Sequence, residues 1–360
     1  MRILSHRRPA RPAAALAWGA GAFAGVQIVL AVGLLTWWPC MRDPWYGDKL
    51  CQLRRLIAAA PDRPRLVMLG SSRTLNGFNA ALVQKRLADA GDVPATVYNF
   101  GLPGASSVAE LVVLRRLLAD GVRPELLLVE VSPSFMTHPL DLAMFPADHL
   151  WQRELPLLAD YLEDGEALCS QWWRGRWIPC HTHREAILYS ICRTMVAKES
   201  FGPWFKTFDP AGWERFDAQG FDSDFRRRAL ETTRRELTRG LTVGRVSDVC
   251  RGALTRLAAT CRGEGIALLL ILPPVEEAFR SGKATATESE TYALLDQIRD
   301  EYAATIVDAR DWLADEDIFD SYHVLDEGAG TLSERLTRQT LIPQLRRIEQ
   351  ARRTRATATK

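Results

Sequence analysis

The most regular feature of this chain is a set of five short, largely apolar runs without polar alternation. They cover residues 65–69, 95–99, 125–131, 266–272 and 305–308. Continuous apolar runs, without alternation, are typical of parallel strands that are covered on both faces. Segments with helical spacing separate them, at 79–90, 106–119, 245–262 and 288–303, and a last helix runs from about 328 past 344. Strands that alternate with helices predict an α/β domain with a doubly wound, mostly parallel, five-stranded sheet.

The alternation fails between residues 135 and 244, where we expect a largely helical insertion beside the strand ends. Six of the eleven tryptophans fall in this stretch: Trp151, Trp172, Trp173, Trp177, Trp204 and Trp213. Such side chains can stack on sugar rings or line an acyl pocket, although most aromatic side chains simply fill cores.

A second feature is the absence of charge between residues 12 and 38, where Gln27 is the only strongly polar side chain. The run is long enough to cross a bilayer as a helix. Four arginines precede it, so the N-terminus is expected to stay in the cytoplasm. A cleaved signal peptide is the alternative, but it would end in a small-x-small site, whereas residues 36–40 read Thr-Trp-Trp-Pro-Cys. We therefore predict a single-pass protein of the cell inner membrane with a periplasmic domain.

These patterns divide the chain into six predicted parts. They are a basic cytoplasmic N-terminus (1–11), a transmembrane anchor (12–38), a linker (39–64), an α/β domain (65–349), its helical insertion (about 135–244) and a flexible basic tail (350–360).

Composition and charge narrow the function classes. Hydrophobic residues make up 47% and charged residues 25%, a balance typical of globular proteins, and the net charge of +2 gives no electrostatic case for nucleic acid. An exported chain with seven cysteines can form disulfides, and Cys40–Cys51 and Cys169–Cys180 are the local pairs we expect. Cys250 and Cys261 would lie about 16 Å apart on one helix, too far to bond each other.

Polar residues follow the predicted strands at the edge where such a fold binds its ligands. Ser72, in Gly-Ser-Ser-Arg, follows the first strand, where a serine can be a nucleophile or simply a helix N-cap. Asp320 and His323 follow the last strand, and no other histidine has an aspartate three positions before it. That carboxylate can orient the imidazole so that its other nitrogen takes a proton from a serine; a capping Asp beside a surface His is the alternative.

The segment after the second strand, from Asn99 to Gly104, offers backbone amides to a ligand. Gly101 and Gly104 let the backbone approach a developing oxyanion closely, although Pro103-Gly104 can equally be a plain turn.

Together these residues resemble the SGNH (GDSL-like) hydrolase family. The resemblance spans about residues 65–134 and 245–340 and implies a Ser72–His323–Asp320 catalytic triad, with no metal or dissociable cofactor. It also implies that the Ser72 amide and Gly104, with Gly101 as second choice, bind the oxyanion. Where the family has an asparagine donor after the third strand, this chain has Ser134, whose hydroxyl has a shorter reach. Arg73 offers a positive charge nearby.

A membrane-anchored subset of the family is closer still, because it shares the Gly-Ser-Ser-Arg block and the Glu-x-x-Pro block that Glu130 begins here. Those proteins resemble the accessory proteins of alginate O-acetylation and of teichoic acid D-alanylation. The likeness implies an acylated glycan or acyl donor as ligand, and a membrane-bound O-acyltransferase as partner.

The sequence thus favours a serine esterase or O-acyltransferase that acts on acyl, most simply acetyl, esters of a cell-envelope polysaccharide. Two alternatives stay open: a catalytically weak or silent partner of a membrane-bound acyltransferase, and an exported lipase with an apolar insertion.

Overall fold

The computed structural model describes residues 12–36, 42–91, 94–137, 147–162, 165–192, 208–216, 221–280 and 284–358. The chain forms two compact units. One comprises residues 1–47 and 146–205, and the other comprises residues 48–145 and 206–360.

The larger unit is built on a five-stranded parallel sheet with the order β2-β1-β3-β4-β5. Its strands are β1 (Arg65–Leu69), β2 (Thr96–Asn99), β3 (Leu126–Glu130), β4 (Ala267–Leu272) and β5 (Thr305–Asp308). The strand order reverses at β1, so the carboxyl ends of β1 and β3 flank the crevice in which doubly wound sheets bind ligands. The fold class predicted from the apolar runs is confirmed.

Helices connect and cover these strands. Ahead of β3, in chain order, they are α2 (Pro44–Ala59), α3 (Ser72–Gly77), α4 (Ala80–Asp89) and α5 (Ser107–Ala119), whereas α1 (Pro12–Thr36) precedes them all. Strand side chains on both faces of the sheet are buried, for example Leu66 and Leu128 on one face and Val67 and Leu127 on the other. The largely apolar runs of the sequence therefore form a sheet that is shielded on both faces.

The inserted segment contributes helices to both units. The smaller unit holds α6 (Leu155–Ala159), α7 (Gly165–Trp177), α8 (Pro179–Thr182) and α9 (Arg184–Ile191), and the larger unit holds α10 (Ser223–Thr242). Helix α10 lies directly on the segment after β3. The contact is so close that a Cβ atom at Gly240 would stand 2.0 Å from the carbonyl oxygen of Ser134. Only glycine allows this approach.

The last third of the chain completes the larger unit, which we call the sheet unit. It adds α11 (Asp248–Glu264), α12 (Ala286–Tyr302), α13 (Asp326–Leu336) and α14 (Ile342–Ala358). Helix α11 is capped by the Ser247 hydroxyl and ends at Gly265, which is left-handed at φ 69°. Helix α14 extends beyond residue 349, where the sequence predicted a flexible tail. Arg353 and Glu349 form an i,i+4 ion pair on its surface, an interaction that supports an exposed helix.

In the smaller unit, α1 is long and apolar enough to cross a membrane from Pro12 to Leu34. Its side chains are mostly exposed, whereas that of Gln27 is only 7% exposed. The disulfide expected between Cys169 and Cys180 is not formed: both are free thiols, and Cys180 instead meets the Gln27 side chain. Cys40, of the other expected pair, lies outside the described residues.

Candidate active site

Two distant segments of the larger unit meet beside the end of β1. Ser72 opens α3 immediately after this strand, and its hydroxyl oxygen lies 2.8 Å from Nε2 of His323. The other imidazole nitrogen, Nδ1, lies 2.8 Å from a carboxylate oxygen of Asp320. Asp320 and His323 belong to the segment between β5 and α13, so the structure brings together the three side chains that the sequence pattern singled out.

Asp320 determines how the imidazole of His323 is used. Its second carboxylate oxygen accepts a hydrogen bond from the backbone N–H of His323 at 3.0 Å, and the Thr233 hydroxyl of α10 donates to its first oxygen at 3.4 Å. Burial tends to raise the pKa of Asp320. The hydrogen bond from His323 and the electrostatic attraction of its imidazole ring outweigh burial and hold the pKa of Asp320 below its usual value. An ionised Asp320 places the proton on Nδ1 and leaves the Nε2 lone pair facing Ser72.

The turn that carries Asp320 and His323 is held in an unusual conformation. Ser321 has a φ of 82°, a left-handed geometry that costs a non-glycine residue roughly 1–3 kcal/mol. The Ser321 hydroxyl donates to Glu276 at 2.7 Å, and the Glu276 amide donates to the Ser321 carbonyl at 3.1 Å. Hydrogen bonding to Arg234 lowers the pKa of Glu276 despite its burial, so this carboxylate is a charged anchor for the turn.

A second buried carboxylate, Glu130 at the end of β3, fixes the segment that carries Ser72. One of its oxygens accepts from the backbone N–H of Ser71 at 3.0 Å and from the N–H and hydroxyl of Thr74 at 3.2 and 2.6 Å. Its other oxygen accepts from the Ser71 hydroxyl at 2.8 Å. Four hydrogen bonds thus join the first turn of α3 to the neighbouring strand.

Gly70 makes this arrangement possible. A Cβ atom there would lie 1.9 Å from the Thr74 hydroxyl oxygen and 2.6 Å from the Glu130 carboxylate. The glycine of Gly-Ser-Ser-Arg is therefore required by the close approach of these side chains.

Arg73 is buried and bonded to other strand ends. Its guanidinium donates to the Ser132 hydroxyl at 2.7 Å and to the Pro274 carbonyl at 2.9 Å, and it lies 5.4 Å from the ring centre of Tyr322. Burial lowers its pKa. Arg73 therefore ties together the segments that follow β3 and β4, next to the residue that precedes His323.

The backbone donors after β2 differ in availability. The Gly101 amide donates to the Asn99 side chain at 2.9 Å, and the Asn99 amide nitrogen donates to the carbonyls of Thr74 and Phe78, each at 2.8 Å. Asn99 thus caps the far end of α3, and its contacts are with the protein's own backbone. Gly104, by contrast, adopts a left-handed φ of 71°, and its amide donates to no acceptor within the described residues.

Ser134, which aligns with the asparagine of the resembled family, is almost completely buried. Its hydroxyl lies 3.2 Å from that of Ser132, which already accepts a hydrogen bond from Arg73. When the Ser132 hydroxyl donates its own proton to Ser134, the proton of Ser134 is left for another acceptor.

Phenylalanine side chains extend from His323 to the surface, a feature that the sequence analysis missed. The ring of Phe216 stacks on His323 with 5.9 Å between ring centres and 13° between planes. It also contacts Phe319 and Phe221, and Phe221 stacks on Phe225 at 4.6 Å. We call Phe216, Phe221, Phe225 and Phe319 the aromatic wall. Its outer members, Phe221 and Phe225, are 42% and 41% exposed.

No protein-family model matches the chain, and no curated protein matches it either. Among solved structures, it is similar to a lipase/acylhydrolase from Enterococcus faecalis, at 12% identity and a TM-score of 0.37 over 77% of this chain and 94% of that one. TesA gives 13% identity and 0.36 over 77% and 99% of the two chains. Est24, a carbohydrate acetylesterase from Sinorhizobium meliloti, gives 12% and 0.33 over 78% and 99%. Scores this low carry no conclusion about activity, so function has to be inferred from the site itself.

Proposed function

We propose that this protein is a membrane-anchored serine esterase or O-acyltransferase of the SGNH type. The observation that carries the proposal is the hydrogen-bonded chain from Ser72 through His323 to Asp320, with 2.8 Å at each step. Nucleophilic acyl transfer by a serine requires a base within hydrogen-bond reach of the hydroxyl and a group that orients this base.

In the first half of the reaction, the Ser72 hydroxyl oxygen attacks the carbonyl carbon of an ester while Nε2 of His323 accepts its proton. The oxyanion of the tetrahedral intermediate is bound by the amides of Ser72 and Gly104, with the Ser134 hydroxyl as a third donor. The C–O bond to the alcohol then breaks, and the imidazolium returns its proton to the leaving oxygen. Asp320 stays ionised and stabilises the imidazolium throughout.

In the second half, the same base activates the acceptor. Nε2 takes a proton from water or from a sugar hydroxyl, whose oxygen attacks the acyl carbon. The bond from that carbon to the Ser72 oxygen then breaks, and the imidazolium returns its proton to the Ser72 oxygen. Water gives an esterase and a sugar gives a transferase. In this scheme the Asn99 side chain, which bonds the Gly101 amide and the carbonyls of α3, holds α3 in position, and Asn99 and Gly101 do not contact the substrate.

The proposed substrate is an acyl, most simply acetyl, ester of a cell-envelope polysaccharide. Anchoring by α1 in the inner membrane, with the sheet unit on the periplasmic side, would hold the site beside such polymers. A membrane-bound O-acyltransferase is the proposed partner and would supply or receive the acyl group.

A lipase-type esterase is the second candidate, and one observation favours it. The aromatic wall begins at His323 and presents apolar rings to solvent, a surface that also fits a long acyl chain. A catalytically silent protein is less favoured, because it has no need of the three hydrogen-bonded side chains in this order.

Covalent labelling tests the proposal. The full-length protein in detergent is treated with a fluorophosphonate probe and, separately, with an aryl acetate, an acetylated polysaccharide and aryl esters of increasing chain length. Intact mass spectrometry should show one adduct on wild type and none on Ser72→Ala. An adduct discharged by sugar indicates a transferase, and rates that rise with chain length indicate a lipase. A folded protein that reacts with no donor and no probe would refute catalysis.

A further inference from the structure

We infer that the helical pair α7 and α9, on the smaller unit, rests in the outer leaflet of the membrane that α1 spans, with exposed aromatic and aliphatic side chains among the lipid chains. This inference rests on the proposed anchoring by α1. It gives the protein a second, broader membrane contact besides the anchor.

The first observation concerns depth. Gln27 lies seven residues before Leu34, the end of the apolar segment, which is about 10 Å along a helix at 1.5 Å per residue. The hydrocarbon region of a bilayer is about 30 Å thick, so the Gln27 side chain lies within its outer half. A polar side chain at that depth requires a partner from the protein.

That partner is α8. The Gln27 carbonyl oxygen accepts from the backbone N–H of Cys180 at 3.1 Å, and its amide nitrogen donates to the Cys180 sulfur at 3.1 Å. The start of α8 therefore lies at the same depth as Gln27. The Thr182 hydroxyl donates to the Gly175 carbonyl at 2.8 Å and so joins α8 to α7.

The second observation is which side chains face outwards beside this contact. The interior of the small unit is formed by others: Trp172 is buried and donates to the Leu150 carbonyl at 3.0 Å. The exposed large apolar side chains of this segment are Trp173, Trp177, Ile178, Leu188 and Ile191, with Trp177 at 79% and Ile191 at 76%. Trp173 and Trp177 are four residues apart and share one face of α7.

These features fit lipid better than water. Several large apolar side chains exposed on one short helical segment are unusual on a surface that faces water, and tryptophan is enriched where membrane meets water. Arg174 and Arg184 are exposed on the same helices and can reach the phosphates of lipid headgroups. A groove lined by Ile28 and Ala31 of α1 together with Trp173 and Trp177 makes this surface continuous with the anchor.

Fluorescence quenching tests the inference. Full-length protein is reconstituted into vesicles of phosphatidylcholine and phosphatidylglycerol with brominated acyl chains, which quench tryptophans in contact with them. The double variant Trp173→Phe/Trp177→Phe should lose roughly a third or more of the quenched intensity of wild type. Trp312→Phe, on the sheet unit, is the matched control and should lose none. Trp18→Phe reports separately on α1.

The outcomes separate the two claims. If Trp18→Phe lowers the quenched intensity and the double variant does not, α1 spans the membrane and the face of α7 and α9 is covered by something else, such as a second copy or another membrane protein; the inference is then overturned. If neither variant changes the quenching, the proposed anchoring itself fails. Fluorophosphonate labelling of Ser72 should be equal in all variants, which shows that the sheet unit is intact.

Discussion

Replacing Glu130 gives a sharp test of how the proposed nucleophile is positioned, because two substitutions of this one residue have different predicted costs. In Glu130→Gln, a carbonyl oxygen can take the position that accepts three hydrogen bonds, two from the amides of Ser71 and Thr74 and one from the Thr74 hydroxyl. Only the contact with the Ser71 hydroxyl has to reverse its direction. We expect a loss of about 1 kcal/mol in the free energy of unfolding, the value of one ordinary hydrogen bond.

In Glu130→Ala, the two backbone amides lose their acceptor while the two hydroxyls can turn to other partners. A buried donor without an acceptor costs about 1–3 kcal/mol, so the expected loss is about 2–6 kcal/mol. The first turn of α3 is also released from β3, and the rate of fluorophosphonate labelling at Ser72 should fall in Glu130→Ala far more than in Glu130→Gln.

Urea unfolding followed by circular dichroism gives the stabilities, and labelling below the unfolding transition gives the reactivity. If Glu130→Ala were as stable and as reactive as Glu130→Gln, the four hydrogen bonds would not be what holds Ser72, and the reasoning would be refuted.

Four further predictions concern the same site. Asp320→Asn should reduce ester turnover by about 10³- to 10⁴-fold with little change in KM, since the imidazole loses its orienting anion. The folded pKa of Asp320 lies below its usual 3.8, so ionised Asp320 stabilises the folded protein above pH 3.8. This contribution is lost as the pH falls through the folded pKa. The free energy of unfolding, measured as the solution is acidified, should therefore fall less in Asp320→Asn than in wild type. Gly104→Ala and Gly91→Ala should each destabilise the fold by about 1 kcal/mol, since both glycines have a positive φ. Only Gly104→Ala should lower kcat. An equal kcat in the two variants would remove Gly104 from the proposed oxyanion site. Phe225→Ala should raise KM for the preferred acyl ester without altering the labelling rate at Ser72, and an unchanged KM would show that the aromatic wall does not bind substrate.

The sheet could be predicted from the sequence nearly to the residue, because each strand is a short, largely apolar run that ends at a turn-forming or polar residue. The meeting of Ser72 with Asp320 and His323 followed from the same pattern, since the carboxyl ends of parallel strands share one edge. Residues that follow strand ends can therefore be predicted to form one site once the strands are known.

Other features depend on contacts that no local pattern encodes. The capping of α3 by Asn99 and the four hydrogen bonds of Glu130 can be predicted only when the relative positions of three strands are known. The one local sign of the Glu130 contacts is a carboxylate at the end of an otherwise apolar strand. The aromatic wall forms because the chain returns to the site near Phe216, far from the motifs. The Cys169–Cys180 pairing was expected from proximity in sequence, but Cys180 faces α1 instead.

The segment that bears Ser72 is clamped from both directions, by Glu130 at its start and by Asn99 at its finish. A clamped reactive group has no freedom to adapt to substrates of different shape, so selectivity has to reside elsewhere around the cleft. Under the proposed function, a change of preferred acyl or sugar group should therefore proceed through changes in the chain near Phe216 and Phe221. The bond-making residues themselves would stay the same from one substrate to the next.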